Sequence, residues 1–111
     1  VERAIRWAGP QAGPRNGFEH PFAGAGVESG IEINEAFAVV NLHAEQQLGI
    51  PRDVTNLYGG GISIGHPPGA TGIRMTMTAM HHLADTGGRY AIVSMCLGSG
   101  MGMATLIERL H

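Results

Sequence analysis

The sequence contains no lysine, a single cysteine and little charge of either sign. Charged residues make up 14% of the 111 residues, the net charge is −2, and the seven basic residues are all arginines scattered along the chain. Because a nucleic-acid interface needs clustered basic residues, this pattern argues against a nucleic-acid partner. The one cysteine, Cys96, cannot form an internal disulfide and suits a reducing compartment, so we expect a cytoplasmic location.

Long apolar runs are also missing. No run approaches the length of a membrane span and no secretory signal is visible, so we expect no membrane association. A hydrophobic content of 43% is nevertheless enough to bury a core. The length suits one small domain or a piece of a larger one. Since the chain begins at Val1 rather than at a methionine, we expect a fragment or a processed chain.

Glycine is abundant, and it concentrates in the stretch GGGISIGHPPGATG at residues 59–72. Glycine lets a ligand or another chain approach closely, and the two prolines after His66 make its backbone rigid. A helical pattern starts at Ala70, so His66 lies just ahead of a helix N-terminus, which favours a neutral imidazole able to accept a proton. The stretch lacks GxxxxGK[ST] and a strand-linked GxGxxG, so it is a weak candidate for phosphate binding.

The first thirty residues form the less regular part of the sequence. Apolar spacing over residues 1–8 predicts the end of a helix, and Gly9-Pro10 would stop it. The glycine- and proline-rich residues 9–30 predict a linker. We therefore divide the chain into a poorly defined helix remnant with a linker (1–30) and a folded portion (31–111).

The folded portion alternates strands and helices, which predicts an α/β domain. Residues 31–33 end a short strand, Asn34 is placed as the N-cap of a helix that continues to Leu48, and residues 70–85 form a second helix. The first helix carries an apolar stripe formed by Ala36, Phe37, Val39, Val40, Ala44 and Leu48. Residues 90–96 are nearly all apolar, as in a strand covered on both faces, and residues 103–107 return as an antiparallel strand.

Three residues are candidates for chemistry, and each has a purely structural alternative. A lone histidine such as His66 is often structural. Cys96 could be a small core residue, although the amides of the following LGSG turn could stabilise an oxyanion. Asn34, which precedes Glu35, could simply cap a helix.

Three motifs together resemble the thiolase family, in order and at similar spacing: EINEAFA (32–38), NLYGGGISIGHPPGATGIR (56–74) and CLGSGMGMAT (96–105). The resemblance covers residues 31–111. It implies a thiolase-like C-terminal half-domain, with layered helices on a mixed sheet that ends in an antiparallel strand pair. It also implies an acyltransferase that condenses acyl-CoA with acetyl-CoA or cleaves a 3-ketoacyl-CoA, with coenzyme A thioesters as substrates, no tightly bound cofactor and no metal.

The resemblance also implies residue roles. His66 would activate a nucleophilic cysteine and help form an oxyanion hole, which a water held by Asn34 would complete. Cys96 would be the acid/base that moves the substrate α-proton, and the Gly98 amide would serve a second oxyanion hole. Gly60 and Gly65 are further candidates for oxyanion or substrate binding.

The sequence departs from the family in four respects. It has no second cysteine for the nucleophile, Pro68 stands where thiolases usually have an apolar residue, and Ser99 stands where they usually have glycine. Residues 9–30 also do not resemble the helix–strand passage that the family has there. The chain alone is therefore expected to be inactive. We expect it to work with an N-terminal thiolase half or as a homo-oligomer. The alternative is a non-catalytic CoA-binding or structural remnant that acts only with a partner chain.

Overall fold

The computed structural model describes the backbone of residues 5–7 and the chain from 29 to 110. Its elements are, in order, β1 (Ile5–Trp7), β2 (Gly30–Ile33), α1 (Ala38–Leu48), a 3-10 turn (Arg52–Val54), α2 (Gly61–Ile64), α3 (Pro68–Thr86), β3 (Tyr90–Gly98) and β4 (Met101–Glu108). The strands form one sheet in the order β1-β4-β3-β2. The α/β class is confirmed.

The sheet is mixed, as the resemblance implied. β2 lies parallel to β3, whereas β4 runs antiparallel to both β3 and β1. The parallel register pairs Ile33 with Ser94, and the backbone N–H of Asn34 continues it by donating to the Ser94 carbonyl at 2.8 Å. The carboxyl ends of β2 and β3 therefore meet at one edge of the sheet.

The main core lies between α3 and one face of the sheet. Its buried members are Met75, Ala79 and Leu83 of α3 together with Ala91, Val93 and Ile107 of the strands. Successive strand residues point to opposite faces, so Ile92 and Ser94 face away from α3 and are only half-buried. The prediction that this strand is covered on both faces is thus wrong for the described part of the chain.

α3 begins at Pro68, two residues before the start at Ala70 that the spacing of its apolar residues predicted. Pro67 is its N-cap and Pro68 its first residue. Proline suits this position because the first helical N–H has no partner within the helix. Pro68 is therefore compatible with the helix start. At the other end, Gly87 adopts the left-handed conformation (φ 74°) that ends the helix.

The predicted helix at residues 1–8 is wrong where the structure describes it. Ile5–Trp7 is a strand paired with β4, with Ile5 opposite Ile107. Apolar spacing over only two turns is weak evidence for a helix, because short helices are unstable by themselves. The edge of β4 offers these residues backbone hydrogen bonds as a strand. Residues 8–28, which include most of the predicted linker, lie outside the described residues. The division at residue 30 stays a prediction.

The prediction that Asn34 caps a helix is also wrong. α1 starts at Ala38 with Phe37 as its N-cap, and no side chain caps it. Asn34 instead extends the strand pairing and is buried. The apolar stripe of α1 is largely exposed, with Phe37 72% and Val39 65% accessible. The predicted helix exists from Ala38 to Leu48, but within the described chain its apolar face packs against little.

None of the helices in the described ranges combines the length and apolar character that crossing a membrane requires.

Candidate active site

Asn34 and Cys96 lie at the same edge of the sheet because each follows the end of a parallel strand. Asn34 comes directly after β2, and Cys96 lies near the end of β3, two residues beyond the partner of Ile33. Both line one cavity of about 250 Å³, which Ser94, Met101 and Gly102 also line. The Cys96 thiol is free and exposed, so a ligand in this cavity can reach it.

His66 lies in the short connection between α2 and α3 and is held from both sides. Its Nε2 is 3.4 Å from Asn34 Nδ2, and its Nδ1 is 2.8 Å from the hydroxyl of Thr71 in the first turn of α3. The structure therefore brings His66 to Asn34, and Asn34 to the cavity that Cys96 lines.

The Thr71 contact assigns the tautomer of a neutral His66. The one hydroxyl hydrogen of Thr71 is donated to the Pro67 carbonyl at 2.9 Å, so the hydroxyl oxygen must accept a hydrogen from His66 Nδ1. A neutral ring then carries its lone pair on Nε2, where the Asn34 amide N–H is directed. Nε2, which faces Asn34, is therefore the ring nitrogen of His66 that can accept a proton.

The side-chain oxygen of Asn34 is a further polar atom of the site. Its Oδ1 is buried and has no hydrogen-bond partner among the described residues. A buried amide oxygen normally accepts a hydrogen bond, and leaving it unpaired costs about 1–3 kcal/mol. Asn34 can therefore contact His66 through Nδ2 while Oδ1 accepts from another polar group.

The three candidate glycines lie in different places. Gly65 ends α2 with φ 92° and directly precedes His66. Gly98 follows Cys96 at a β-bulge, but Gly100 and Gly102, rather than Gly98, line the cavity shared by Asn34 and Cys96. Gly60 is the N-cap of α2 and lines a neighbouring cavity of about 390 Å³. The structure thus places neither Gly98 nor Gly60 on the wall of the Cys96 cavity.

Sequence reasoning missed Thr71 and Asn56. Thr71 lies five residues after His66, and a hydroxyl in the first turn of the following helix was the available signal. The Asn56 side chain bonds both the N–H and the carbonyl of Ile33. Its position at the start of the glycine-rich motif is the available signal in the sequence.

A buried ion pair lies beside the site, on the α3 face of the sheet. Glu32 Oε2 is 3.7 Å from Arg74 Nη1. Burial raises the pKa of the Glu32 carboxyl to about 7, the Arg74 guanidinium opposes this rise, and the nearby Glu35 charge adds to it. Within residues 29–110, no group of three or more His, Cys, Asp or Glu side chains is arranged to hold a metal ion.

Comparisons with known proteins place the chain in a family. The model for the thiolase C-terminal domain matches residues 18–109. The chain belongs to the thiolase family. The resemblance inferred from the three motifs is thereby confirmed.

Similar thiolases come from several organisms. The β-ketoadipyl-CoA thiolase of Acinetobacter baylyi is 48% identical over 82 residues, which are 72% of this chain and 20% of that protein. The 3-oxoadipyl-CoA/3-oxo-5,6-dehydrosuberyl-CoA thiolase of Escherichia coli is 38% identical over 112 residues, covering 99% of this chain and 28% of that protein. Thus the chain spans about a fifth to a quarter of the length of these relatives.

Solved thiolase structures share the fold. Human mitochondrial 3-ketoacyl-CoA thiolase in complex with CoA has a TM-score of 0.71 and 41% identity, over 74% of this chain and 21% of that one. The Bacillus anthracis acetyl-CoA acetyltransferase has a TM-score of 0.69 and 43% identity, over 73% and 21%. The thiolase-like C-terminal half-domain is therefore confirmed as the fold.

Proposed function

We propose that the chain is the C-terminal part of a thiolase-type acyltransferase, which condenses an acyl-CoA with acetyl-CoA or cleaves a 3-ketoacyl-CoA. It supplies the histidine and the acid/base cysteine, and its substrates are coenzyme A thioesters. The observation that carries this proposal is the position of Asn34, which lies 3.4 Å from His66 through its Nδ2 and lines one cavity together with Cys96. Family membership supports the class of reaction.

His66 suits the role of base toward a nucleophilic thiol. Its neutral form presents the Nε2 lone pair, and the bond from Nδ1 to Thr71 keeps the ring in this orientation. A base must lie within hydrogen-bond reach of the proton that it removes. The Asn34 amide, beside Nε2, would hold the water that completes the oxyanion hole where negative charge develops on a thioester oxygen.

Cys96 suits the transfer of the substrate α-proton. In the condensation direction, its thiolate removes a proton from the acetyl methyl group, and the resulting carbanion attacks the acyl carbonyl carbon. A carbon–carbon bond forms, the bond between the acyl carbon and the nucleophilic sulfur breaks, and the released thiolate takes up a proton. The turn after Cys96 carries backbone amides that could stabilise the enolate oxygen, and the Gly98 amide is the proposed donor.

The nucleophilic cysteine must come from outside this sequence, because Cys96 is its one cysteine. We therefore propose that the 111-residue chain does not turn over alone and that an N-terminal thiolase half supplies the nucleophile. A homo-oligomer remains a proposed partner for packing, since a further copy adds only another Cys96. Exposed apolar side chains support a packed partner. Ile73 and Met77 of α3 are 66% and 53% accessible and line a cavity of about 640 Å³.

The second candidate is a non-catalytic CoA-binding or structural remnant that acts only with a partner chain. The absence of a second cysteine favours it, since without a nucleophile the His66 and Cys96 groups would have no acyl-enzyme to process. A cytoplasmic location is part of either proposal and is supported by the single cysteine. Other relatives are named as peroxisomal or mitochondrial proteins.

A chimera distinguishes the two candidates. The segment of the E. coli relative that aligns with this chain is replaced by the 111 residues, so that the relative supplies the rest of the protein. Thiolysis of acetoacetyl-CoA is followed by ultraviolet absorbance. We expect activity that falls by at least about a hundredfold in His66→Ala and in Cys96→Ser.

His43→Ala is the matched control, because His43 is an exposed histidine of α1. It should leave the rate unchanged. A folded chimera without activity, or an active His66→Ala chimera, would support the non-catalytic candidate.

A further inference from the structure

The Asn56 side chain attaches the loop that leads to His66 to the end of β2. Its Oδ1 accepts from the Ile33 N–H at 2.8 Å, and its Nδ2 donates to the Ile33 carbonyl at 2.9 Å. Its backbone N–H donates to the Ile31 carbonyl, also at 2.8 Å. Asn56 therefore satisfies the free edge of β2 in the way that a neighbouring strand would, directly before Asn34.

Glu35 connects the same strand end to α2. Its Oε1 accepts from Asn56 Nδ2 at 3.2 Å, and its Oε2 accepts from the Ile62 N–H at 2.9 Å. Gly60 makes this approach possible, since a Cβ at that position would overlap the Glu35 carboxyl group. The residue after Asn34 is thus bonded to the helix that ends just before Gly65 and His66.

The chemistry of this network is specific. Both carboxylate oxygens of Glu35 face N–H donors, so a glutamine would turn its own NH₂ group toward one of them. Asn56 must accept and donate at once, which neither aspartate nor leucine can do. Its φ of 48° also lies in the left-handed region, which asparagine tolerates better than most residues.

We propose that Glu35 and Asn56 are positioning residues that set the separation between Asn34 and His66. Neither lines the cavity shared by Asn34 and Cys96, so they act through the two segments that they join. One segment carries Asn34 at the end of β2, and the other carries His66 after α2. The inference rests on the proposed thiolase function, in which Asn34 and His66 form one oxyanion site.

The kinetic test uses the chimera described above with Glu35→Gln and, separately, Asn56→Asp. We expect each variant to lower kcat about tenfold or more while KM changes less than about twofold, because a misplaced catalytic group slows the chemical step without weakening substrate binding. In the double variant, the amide introduced by Glu35→Gln can donate to the carboxylate introduced by Asn56→Asp, so kcat should recover part of the loss. Melting temperatures of all variants should show that they are folded at the assay temperature.

Ser63→Ala is the control within the same loop. The Ser63 hydroxyl donates to the Gly60 carbonyl at 3.0 Å, so the variant loses a loop hydrogen bond without touching the link to β2. It should keep the wild-type kcat. Unchanged kcat in Glu35→Gln and Asn56→Asp, or a rise in KM at constant kcat, would overturn the proposal.

A second readout does not depend on turnover. Ring-nitrogen NMR signals of His66 are recorded in histidine-labelled chimera, assigned with His66→Ala, and compared with those of the exposed His43. Glu35→Gln should shift the His66 signals and leave the His43 signals in place. If Glu35→Gln leaves the His66 signals unshifted, the positioning role is contradicted even when the chimera is inactive. If Glu35→Gln shifts them but the chimera without this substitution is inactive, only the proposed function is contradicted.

Discussion

Asn34 and His66 are 32 positions apart in the sequence, yet Asn34 Nδ2 lies 3.4 Å from His66 Nε2. The contact joins the end of a strand to a loop that precedes a helix, and three further links support it. Asn34 is bonded through its backbone to Ser94, His66 is bonded to Thr71, and Glu35 is bonded to α2. The two side-chain links can each be changed by a single substitution.

The Thr71 hydroxyl should be required for the correct His66 tautomer. Thr71→Val keeps the shape of this fully buried side chain but removes the acceptor for His66 Nδ1–H. We expect kcat in the chimera to fall about tenfold, because part of the neutral imidazole then carries its proton on Nε2. Thr71→Ser keeps the hydroxyl and serves as the control. Equal rates for Thr71→Val and the wild type would contradict the tautomer assignment.

Stability should depend on pH through Glu32. Its pKa is raised in the folded chain to about 7 from an ordinary value of 4.5, so the folded state binds the proton more tightly than the unfolded state. Its stabilising contribution is therefore complete below pH 4.5 and is lost as the pH rises through about 7. We expect the wild-type free energy of unfolding to fall relative to that of Glu32→Gln between about pH 5 and 8.

Denaturant unfolding at several pH values, at a protein concentration low enough to keep the chain monomeric, measures this difference. Asp85→Asn, which removes an exposed carboxylate of α3, is the control and should follow the wild type. Parallel curves for Glu32→Gln and the wild type would show that burial does not raise this pKa.

The turn after Cys96 should respond in opposite directions to two substitutions. Ser99 has a φ of 49° between Gly98 and Gly100, which are also at positive φ. Ser99→Gly removes the cost of the left-handed conformation and should stabilise the chain by up to about 1 kcal/mol, after the greater entropy of the unfolded glycine is subtracted. Gly98→Ala should destabilise it. Thermal melts of the two variants test this, and equal melting temperatures would refute it.

The isolated chain should not form an acyl-enzyme. With Cys96 as its one thiol and no nucleophilic cysteine, we expect no thiolysis of acetoacetyl-CoA above background and no acetyl adduct by mass spectrometry. Cys96→Ser provides the blank. Turnover by the purified 111-residue chain would refute the proposal that a second chain segment supplies the nucleophile.

The isolated chain should also self-associate. Ile73 lies exposed on α3, and Phe37 and Val39 lie exposed at the start of α1, so apolar surface is available for contact between copies. Ile73→Ser should shift light scattering toward smaller species, whereas Ala84→Ser, a change of an exposed small residue on α3, should not. A sharp monomer peak for the wild type would contradict this expectation.

The sequence by itself was sufficient to predict the α/β class, the long helix α3 and the antiparallel pair β3–β4. Their apolar periods extend over enough residues to identify each element, and glycine marks the ends. The three motifs were sufficient for the thiolase family, since an asparagine, a histidine and a cysteine in ordered contexts form a specific pattern. Signals of this kind lie within short segments, so they can be read without knowing which other residues those segments contact.

Tertiary structure decided what depended on partners distant in sequence. Residues 5–7 form a strand because β4 offers an unpaired edge, and Asn34 extends β2 because Ser94 lies beside it. A short segment has little intrinsic preference, so the available hydrogen-bond partner determines its conformation. The hydrogen bonds between Asn56 and Ile33 and between Glu35 and Ile62 likewise join residues more than twenty positions apart. No local sequence pattern encodes such contacts.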